Sequence, residues 1–251
     1  TCALPISDGR FVKDKGEKGF LGMTVNDARI RTIGTSATGQ FNVLDLGNGT
    51  GYFDMGEEIG KTMYHLTDYT LSAFYRIDPL YQGLGSDGNF IWTFSNTNDA
   101  MARPTGYIIG SLRNLAHSIT PGFYTAASGN QALGFNQPAL AGNWHHIAYT
   151  QRGTSGTLYL DGMPIVPGDI TNTPASALKK DGLLGTLYNW IGRSNYASDV
   201  YLRQSLVYDF RVYKTALSDF DILVNRLNVI ETLEKLELAF AANPDATSVK
   251  A

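Results

Sequence analysis

The 251-residue chain is poor in the residues that mark most kinds of chemistry. It holds one cysteine, Cys2, so no intramolecular disulfide can staple it, and its stability must come from a buried core, with or without a metal. Charged residues make up 17%, with 20 Lys and Arg against 23 Asp and Glu, a net charge of -3 and a pI near 5.8. No cationic excess exists to track phosphates, so nucleic acid is not an expected partner. No apolar run approaches the ~20 residues that span a bilayer, so no membrane insertion is expected. No signal-like segment stands at the amino end. Thr1 is a poor fit to the small residue that precedes a lipoprotein cysteine, which weighs against reading Cys2 as such a relic.

Catalytic signatures are equally sparse. A Gly-x-Ser-x-Gly elbow is absent, and so is any dense Asp-x-Asp-x-Asp run. The only glutamates ahead of the carboxy-terminal region are Glu17, Glu57 and Glu58. In a strand, the adjacent Glu57 and Glu58 would point to opposite faces and could not share a substrate. His145 and His146 form a pair, but as strand neighbours they too face opposite sides, one filling the sheet and the other solvated. His65 and His117 are isolated. Asp45 and Asp54 stand beside turn signals, where a capping role is the ordinary one.

What the chain does contain is β pattern. Asn143–Gly162 reads as two alternating strands, with Ile147, Tyr149, Leu158 and Leu160 on one phase and a turn over Arg152–Gly156. Asp161-Gly162 then supplies the positive φ angles of a two-residue hairpin. From Ala28 to Tyr213, β-like runs alternate with Gly, Asn, Asp, Ser and Pro and no helical period intervenes, which predicts a sandwich or jelly roll. The expected strands are Ala28–Ile33, Phe41–Asp45, Gly51–Met55, Thr70–Asp78, Asn89–Phe94, Gly106–Arg113 and Gly122–Ala127. His145–Arg152, Thr157–Leu160, Trp190–Gly192 and Leu206–Tyr213 complete them.

Beyond Tyr213 the period changes. Phe220, Leu223, Val224, Leu227, Ile230, Leu233 and Leu236 recur at three- and four-residue spacing, which predicts an amphipathic helix capped by Ser218 and stopped by Asn243-Pro244. The expected organisation is a β domain over 1–217, the helix over 218–242, and a linker over 243–251 leading toward a further domain.

Five segments in order carry a family resemblance: LDLGNGTGYFDM at Leu44–Met55, YTLSAFYRI at Tyr69–Ile77, NWHHIAYT with LYLDG, WIGR at Trp190–Arg193, and YDFRVYKTALSDFDI at Tyr208–Ile222. Over roughly residues 20 to 225 the chain resembles the laminin-G-like, concanavalin A-like jelly rolls, and more narrowly the accessory modules of bacterial glycoside hydrolases. The resemblance implies an all-β, two-sheet antiparallel jelly-roll sandwich with one concave sheet, and makes Trp144 a structural residue. It also implies that the helix and linker precede a small immunoglobulin-like domain. Glycanases of this fold carry Glu-x-Asp-x-Glu or its one-residue-longer form, which supplies two carboxylates about 5 Å apart; neither occurs here, so the module is expected to be non-catalytic. Before the last strand the family often places Gly, whereas this chain has Gln204-Ser205.

Sugar recognition needs aromatic faces for C–H surface and planar polar groups for paired hydroxyls. Tyr107 and Arg113 share one side of the strand GYIIGSLRN, whose other side looks core-like. Trp92 alternates with Phe90 and Phe94 and is either core or platform. Arg193, Asn195 and Tyr196 open a polar loop after WIGR, whose alternative reading is an ordinary turn. Trp92, Tyr107, Arg113, Arg193, Asn195 and Tyr196 are therefore the candidate ligand-binding residues.

No cofactor is required. The resemblance admits a structural Ca²⁺ with Asp45 and Asp209 as candidate ligands, against turn capping or an ion pair with a nearby Arg. Asn48-Gly49-Thr50 is a formal glycosylation sequon. The expected function is carbohydrate binding, with a polysaccharide or oligosaccharide and neighbouring domains of the same chain as partners. The expected setting is secreted, periplasmic or cell-surface, as part of a bacterial glycoside hydrolase acting on plant-cell-wall arabinose-containing glycans. A structural or protein-interaction spacer is the alternative, and a glycanase the distant one.

Overall fold

The computed structural model describes residues 6–7, 10–16, 18–35, 39–96, 106–112, 123–127, 131–135, 141–180 and 183–242. Early strands are β1 (Ile6–Ser7), β2 (Phe11–Lys13), β3 (Leu21–Val25), β4 (Arg29–Thr35), β5 (Gly39–Asp45), β6 (Tyr52–Asp54) and β7 (Asp68–Ile77). The middle of the chain adds β8 (Phe90–Ser95), β9 (Tyr107–Leu112), β10 (Phe123–Ala127), β11 (Gln131–Phe135), β12 (His145–Arg152) and β13 (Ser155–Leu160). Then follow β14 (Met163–Asp169), β15 (Lys179–Lys180), β16 (Leu183–Leu184), β17 (Tyr188–Ile191) and β18 (Ser205–Tyr213). Helices α1 (Glu57–Tyr64), α2 (Pro174–Ala177) and α3 (Asp219–Ala242) complete the described elements.

Two sheets face each other, one of nine strands in the order β1-β2-β3-β6-β17-β8-β9-β10-β11, the other of seven in the order β14-β13-β12-β7-β18-β5-β4. Every pairing between neighbouring strands is antiparallel. This is the expected all-β sandwich. Its core is the layer between the sheets, where Leu44, Leu71, Ala73, Tyr75, Ile147, Tyr149 and Val207 of the seven-stranded sheet meet Phe53, Ile91, Trp92, Phe94, Ile108 and Ile191 of the other. Alternation along the strands decides this, because successive side chains leave on opposite faces, except at the bulges of β8 and β18. Gln151 is the polar knot of the core: it accepts from Tyr69 at 2.9 Å and Tyr149 at 2.8 Å, and its amide donates to Gly153 and Asn172 carbonyls.

The hairpin of β12 and β13 turns at Gly153, with φ 56, and Asp161 and Gly162 take φ angles of 50 and 82 as the sequence predicts. Gln204 adopts the left-handed conformation itself, at φ 49, so it fills the place where glycine is common without rerouting the chain.

Helix α1 is a correction to the expectation of no helix between the first and last strands. It is only eight residues long and contains Gly60, where a Cβ would lie 2.2 Å from the Thr186 carbonyl, so close packing rather than helical propensity sets its sequence. Glu57 and Glu58 are therefore not strand residues; both are exposed in its first turn, and Glu58 pairs with Lys61 at 2.5 Å.

Helix α3 begins where Ser218 caps it: the Asp221 N–H donates to Ser218 Oγ at 3.2 Å and the Ser218 N–H donates back to the Asp221 carboxylate at 3.2 Å. The helix lies on the outer face of the seven-stranded sheet. Ile230 and Leu233 pack with Val43, Phe74 and Trp144, while Ile222 packs with Ala148 and Tyr159. Each such side chain contributes roughly 1.5–3 kcal/mol. The predicted stripe is only partly buried: Phe220 and Leu227 are 72% and 51% exposed, and Ile222, outside that stripe, is fully buried. The surface below sets this arc, since the side-chain-free Gly162 of the hairpin fits against Leu223 and Arg226 and seats Ile222 over Ala148.

Candidate functional site: an aromatic and arginine cradle on the nine-stranded sheet

The outer face of the nine-stranded sheet carries Tyr52 on β6 and Tyr188 and Trp190 on β17, because Phe53, Asn189 and Ile191 take the inward phase. Asn189 locks this phase, its amide donating to the Gly56 carbonyl at 2.8 Å and the Thr186 carbonyl at 2.9 Å. Beyond β17 the chain makes a loop, 193–201, whose ends are tied together by the Leu202 N–H donating to the Gly192 carbonyl at 3.0 Å, an Ω-like closure. Gly192 is needed there: its φ is 90 and a Cβ would meet Leu46 at 2.6 Å. Val200 is stitched to the segment leading into β8 through the Val200 N–H to the Asp87 carbonyl and the Asn89 N–H to the Val200 carbonyl.

This closure folds Arg193 and Tyr201 back onto the aromatic strand pair. The Arg193 guanidinium lies 4.0 Å from the Trp190 ring centroid, 4.7 Å from that of Tyr52 and 5.6 Å from that of Tyr201. The rings brace one another, Tyr52 to Trp190 at 5.6 Å, Tyr52 to Tyr201 at 6.1 Å and Tyr188 to Trp190 at 5.4 Å. Trp190 is the buried floor at 2% exposure, whereas Tyr52, Tyr188, Arg193 and Tyr201 are half-buried and reach solvent. Burial raises the Tyr52 phenol above its usual pKa, with the Arg193 charge opposing. Thr93 Oγ1 donates to the Arg193 carbonyl at 2.7 Å and fixes the backbone that carries the cation.

The candidates named from sequence divide sharply. Arg193 is in the cradle. Tyr196 is half-buried on the far side of the same loop, 6.3 Å from Tyr107, and there it closes a small cluster with Phe90, Tyr107 and Ile109. Tyr107, on the outer face as expected, is therefore covered and only 6% exposed, so its ring is not a free platform. Asn195 is also corrected: it is 1% exposed and its amide donates to Ser95 Oγ at 3.1 Å, which makes it a pin between loop and sheet. Trp92 is corrected outright. It is completely buried between the sheets, with Gly110 opposite leaving room for an indole that would sit 2.3 Å from any added Cβ. A bulge between Phe90 and Trp92 breaks their alternation and sends Phe90 alone to the outer face. Arg113, His117 and Cys2 lie outside the described residues. Sequence reasoning missed Tyr52, Tyr188, Trp190 and Tyr201; the alternation Tyr-Asn-Trp-Ile of β17 was the available signal.

The acidic candidates do not fit a calcium ion. Asp45 receives Arg29 at 2.7 Å and Arg31 at 3.5 Å and also accepts from the Gly47 N–H. Asp209, at φ 51 in the β18 bulge, is held by Arg211 at 2.5 Å. Their oxygens are committed to guanidinium groups, which a hard cation would have to displace. No cluster of three or more His, Cys, Asp or Glu that could hold a metal occurs among the described residues. His145 Nδ1 meets Asp161 at 2.8 Å, while His146 is buried beneath helix α3. No described helix is long and apolar enough to cross a membrane.

Solved structures share this architecture. Domain 4 of a GH43 extracellular arabinanase from Geobacillus stearothermophilus, in complex with arabinotriose, superposes with a TM-score of 0.60 at 13% identity, covering 84% of this chain and 91% of that one. The ligand-binding domain of botulinum neurotoxin serotype D, in complex with N-acetylneuraminic acid, matches at 0.59 and 12% identity over 90% of this chain and 50% of that one. A sialidase from Trypanosoma rangeli with the inhibitor DANA matches at 0.53 and 12% identity over 91% of this chain and 33% of that one. The chain thus spans about half of the toxin domain and a third of the sialidase. No curated protein matches the chain. The family model of the concanavalin A-like lectin/glucanases superfamily matches residues 46–223, most of both sheets and the loop that carries Arg193, and the chain belongs to that superfamily.

Proposed function

We propose that this domain is a non-catalytic carbohydrate-binding module that holds a polysaccharide or oligosaccharide against the outer face of the nine-stranded sheet. One observation carries the reading: the Arg193 guanidinium is laid on Trp190 and flanked by Tyr52 and Tyr201, three rings and one planar donor on a single surface. Aromatic faces accept the C–H side of a sugar ring, and the guanidinium edge presents parallel N–H donors to paired oxygens. Ligands of this kind accompany the superposed arabinanase domain and toxin domain. A secreted or cell-surface setting within a larger glycoside hydrolase accords with those neighbours, and tethering an enzyme to its polymer would raise its effective concentration there.

The test is retention of the folded chain on immobilised glycans, including arabinan, beside Tyr201→Ala and Arg193→Ala. Retention of the wild type and its loss in both variants, with unchanged circular dichroism, supports the reading. No retention on any glycan supports the alternative of a spacer that packs on a neighbouring domain, a role toward which the exposed Phe220 and Leu227 of α3 point. Release of reducing sugar would overturn the non-catalytic assignment.

A further inference from the structure

We infer that the Arg193 cradle selects an acidic sugar, one bearing a carboxylate such as a uronic or nonulosonic acid unit; this rests on the sugar-binding reading of the same site. The reason is an unneutralised cation. Arg29 and Arg31 meet Asp45, and Arg211 meets Asp209. Arg193 makes no ion pair among the described residues; its guanidinium packs on three aromatic rings and donates a hydrogen bond to the Tyr52 hydroxyl. Asp54, two residues beyond Tyr52, turns its carboxylate to the Gly56 N–H at 2.9 Å. Asp199 in the same loop takes the Ser194 hydroxyl at 2.6 Å.

Stacking consumes the face of a guanidinium and leaves its edge, where the N–H donors not turned to the Tyr52 hydroxyl can meet a partner in the same plane. Three rings around the group strip it of part of its hydration and hold its orientation. An incoming anion then meets a fixed donor pair in a setting less screened than open water. A carboxylate matches that edge with two parallel charge-assisted hydrogen bonds, roughly twice as strong as the neutral bonds a hydroxyl pair would make. Tyr52, Tyr188 and Tyr201, half-buried around the cation, provide the walls against which the rest of the sugar ring packs.

The experiment titrates the folded chain with oligogalacturonate and its methyl ester, and with sialyllactose and its methyl ester, beside a neutral arabino-oligosaccharide and a sulfated neutral chain. The expected result is at least tenfold tighter binding of one acid over its own ester. That margin should shrink in raised salt and disappear in Arg193→Gln, while Arg193→Lys retains part of it. Equal binding of acid and ester by the wild type overturns the inference and leaves sugar binding standing. Equal binding of the sulfated chain overturns the carboxylate assignment. No binding of any sugar overturns the sugar-binding reading, and this inference with it. The acid-to-ester comparison needs no variant, so a misfolded substitution does not blunt it.

Discussion

Charging His146 should loosen helix α3 from the sheet beneath it. Its imidazole is 1% exposed and 4.7 Å from the Phe74 ring. On β12 it stands between Trp144, which packs with Ile230 and Leu233, and Ala148, which packs with Ile222. Burial pushes its pKa down from 6.5 to about 4; the Asp161 charge opposes this, and the Arg226 and Arg211 charges reinforce it. In the unfolded chain the group titrates near 6.5, so the unfolded state takes up the proton first and stability falls as pH drops through the window from 6.5 to 4. Those two values imply a loss of about 2 kcal/mol by pH 5 and about 3 kcal/mol by pH 4. Asp161 works in a lower window. Burial would raise its carboxyl, but the His145 hydrogen bond and the His146 N–H hold it below 3.8, so its contribution is present above that value and is lost only as pH falls beneath it. Urea and thermal unfolding at pH 7.5, 6 and 5 read the first window by itself, with an expected fall in Tm of roughly 4–8 °C for a domain of this size. His146→Leu should flatten the fall, since His146 Nδ1 has no hydrogen-bond partner among the described residues. Parallel losses in wild type and variant between pH 7.5 and 5 would refute the reasoning.

Three further outcomes are expected. Trp92→Ala should cost about 3–5 kcal/mol in chemical unfolding, because its side chain is wholly buried between the sheets, and any loss of glycan retention should scale with the unfolded fraction. Gly192→Ala should destabilise by about 1–3 kcal/mol, given its φ of 90 and the 2.6 Å approach to Leu46, and should raise amide exchange across loop 193–201. Asp209→Asn should cost about 1–3 kcal/mol by leaving Arg211 without its carboxylate, whereas a chelator should leave the wild-type Tm unchanged.

The strand pattern was legible because alternation is local: every strand expected from Ala28 to Tyr213 is present, within a few residues at each end. Short strands such as β2 and β16, and helix α1 with its central Gly60, carry too few residues to establish a period. The burial arc of α3 was half legible. Apolar residues occur on more than one side of it, and the sheet below, not the helix itself, chooses Ile222 over Phe220. At the candidate site, Arg193 was legible from the polar loop it opens. Tyr52, Trp190 and Tyr201 were not, since β6, β17 and the end of that loop meet only through sheet order and the Gly192–Leu202 closure. Asp45 and Asp209 read alike in sequence as ligand or ion-pair partner, and only the positions of Arg29 and Arg211 separate the two.

The bulge at Ile91 lets one six-residue strand serve two clusters, with Phe90 on the outside and Trp92 and Phe94 within. Such a strand is sensitive to length in a way that it is not to chemistry. Replacing Ile91 by valine trims one methylene, and deleting it would only restore plain alternation, because it is the extra residue between the Phe90–Ser111 and Trp92–Gly110 pairs; deleting Thr93 would instead change the parity of everything upstream, turning Phe90 toward a core already filled and moving Asn89 off the loop carbonyls of Gly83 and Ser86 that it now anchors. In descendants of this chain, β8 should therefore drift freely by substitution and resist insertion or deletion outside its bulge.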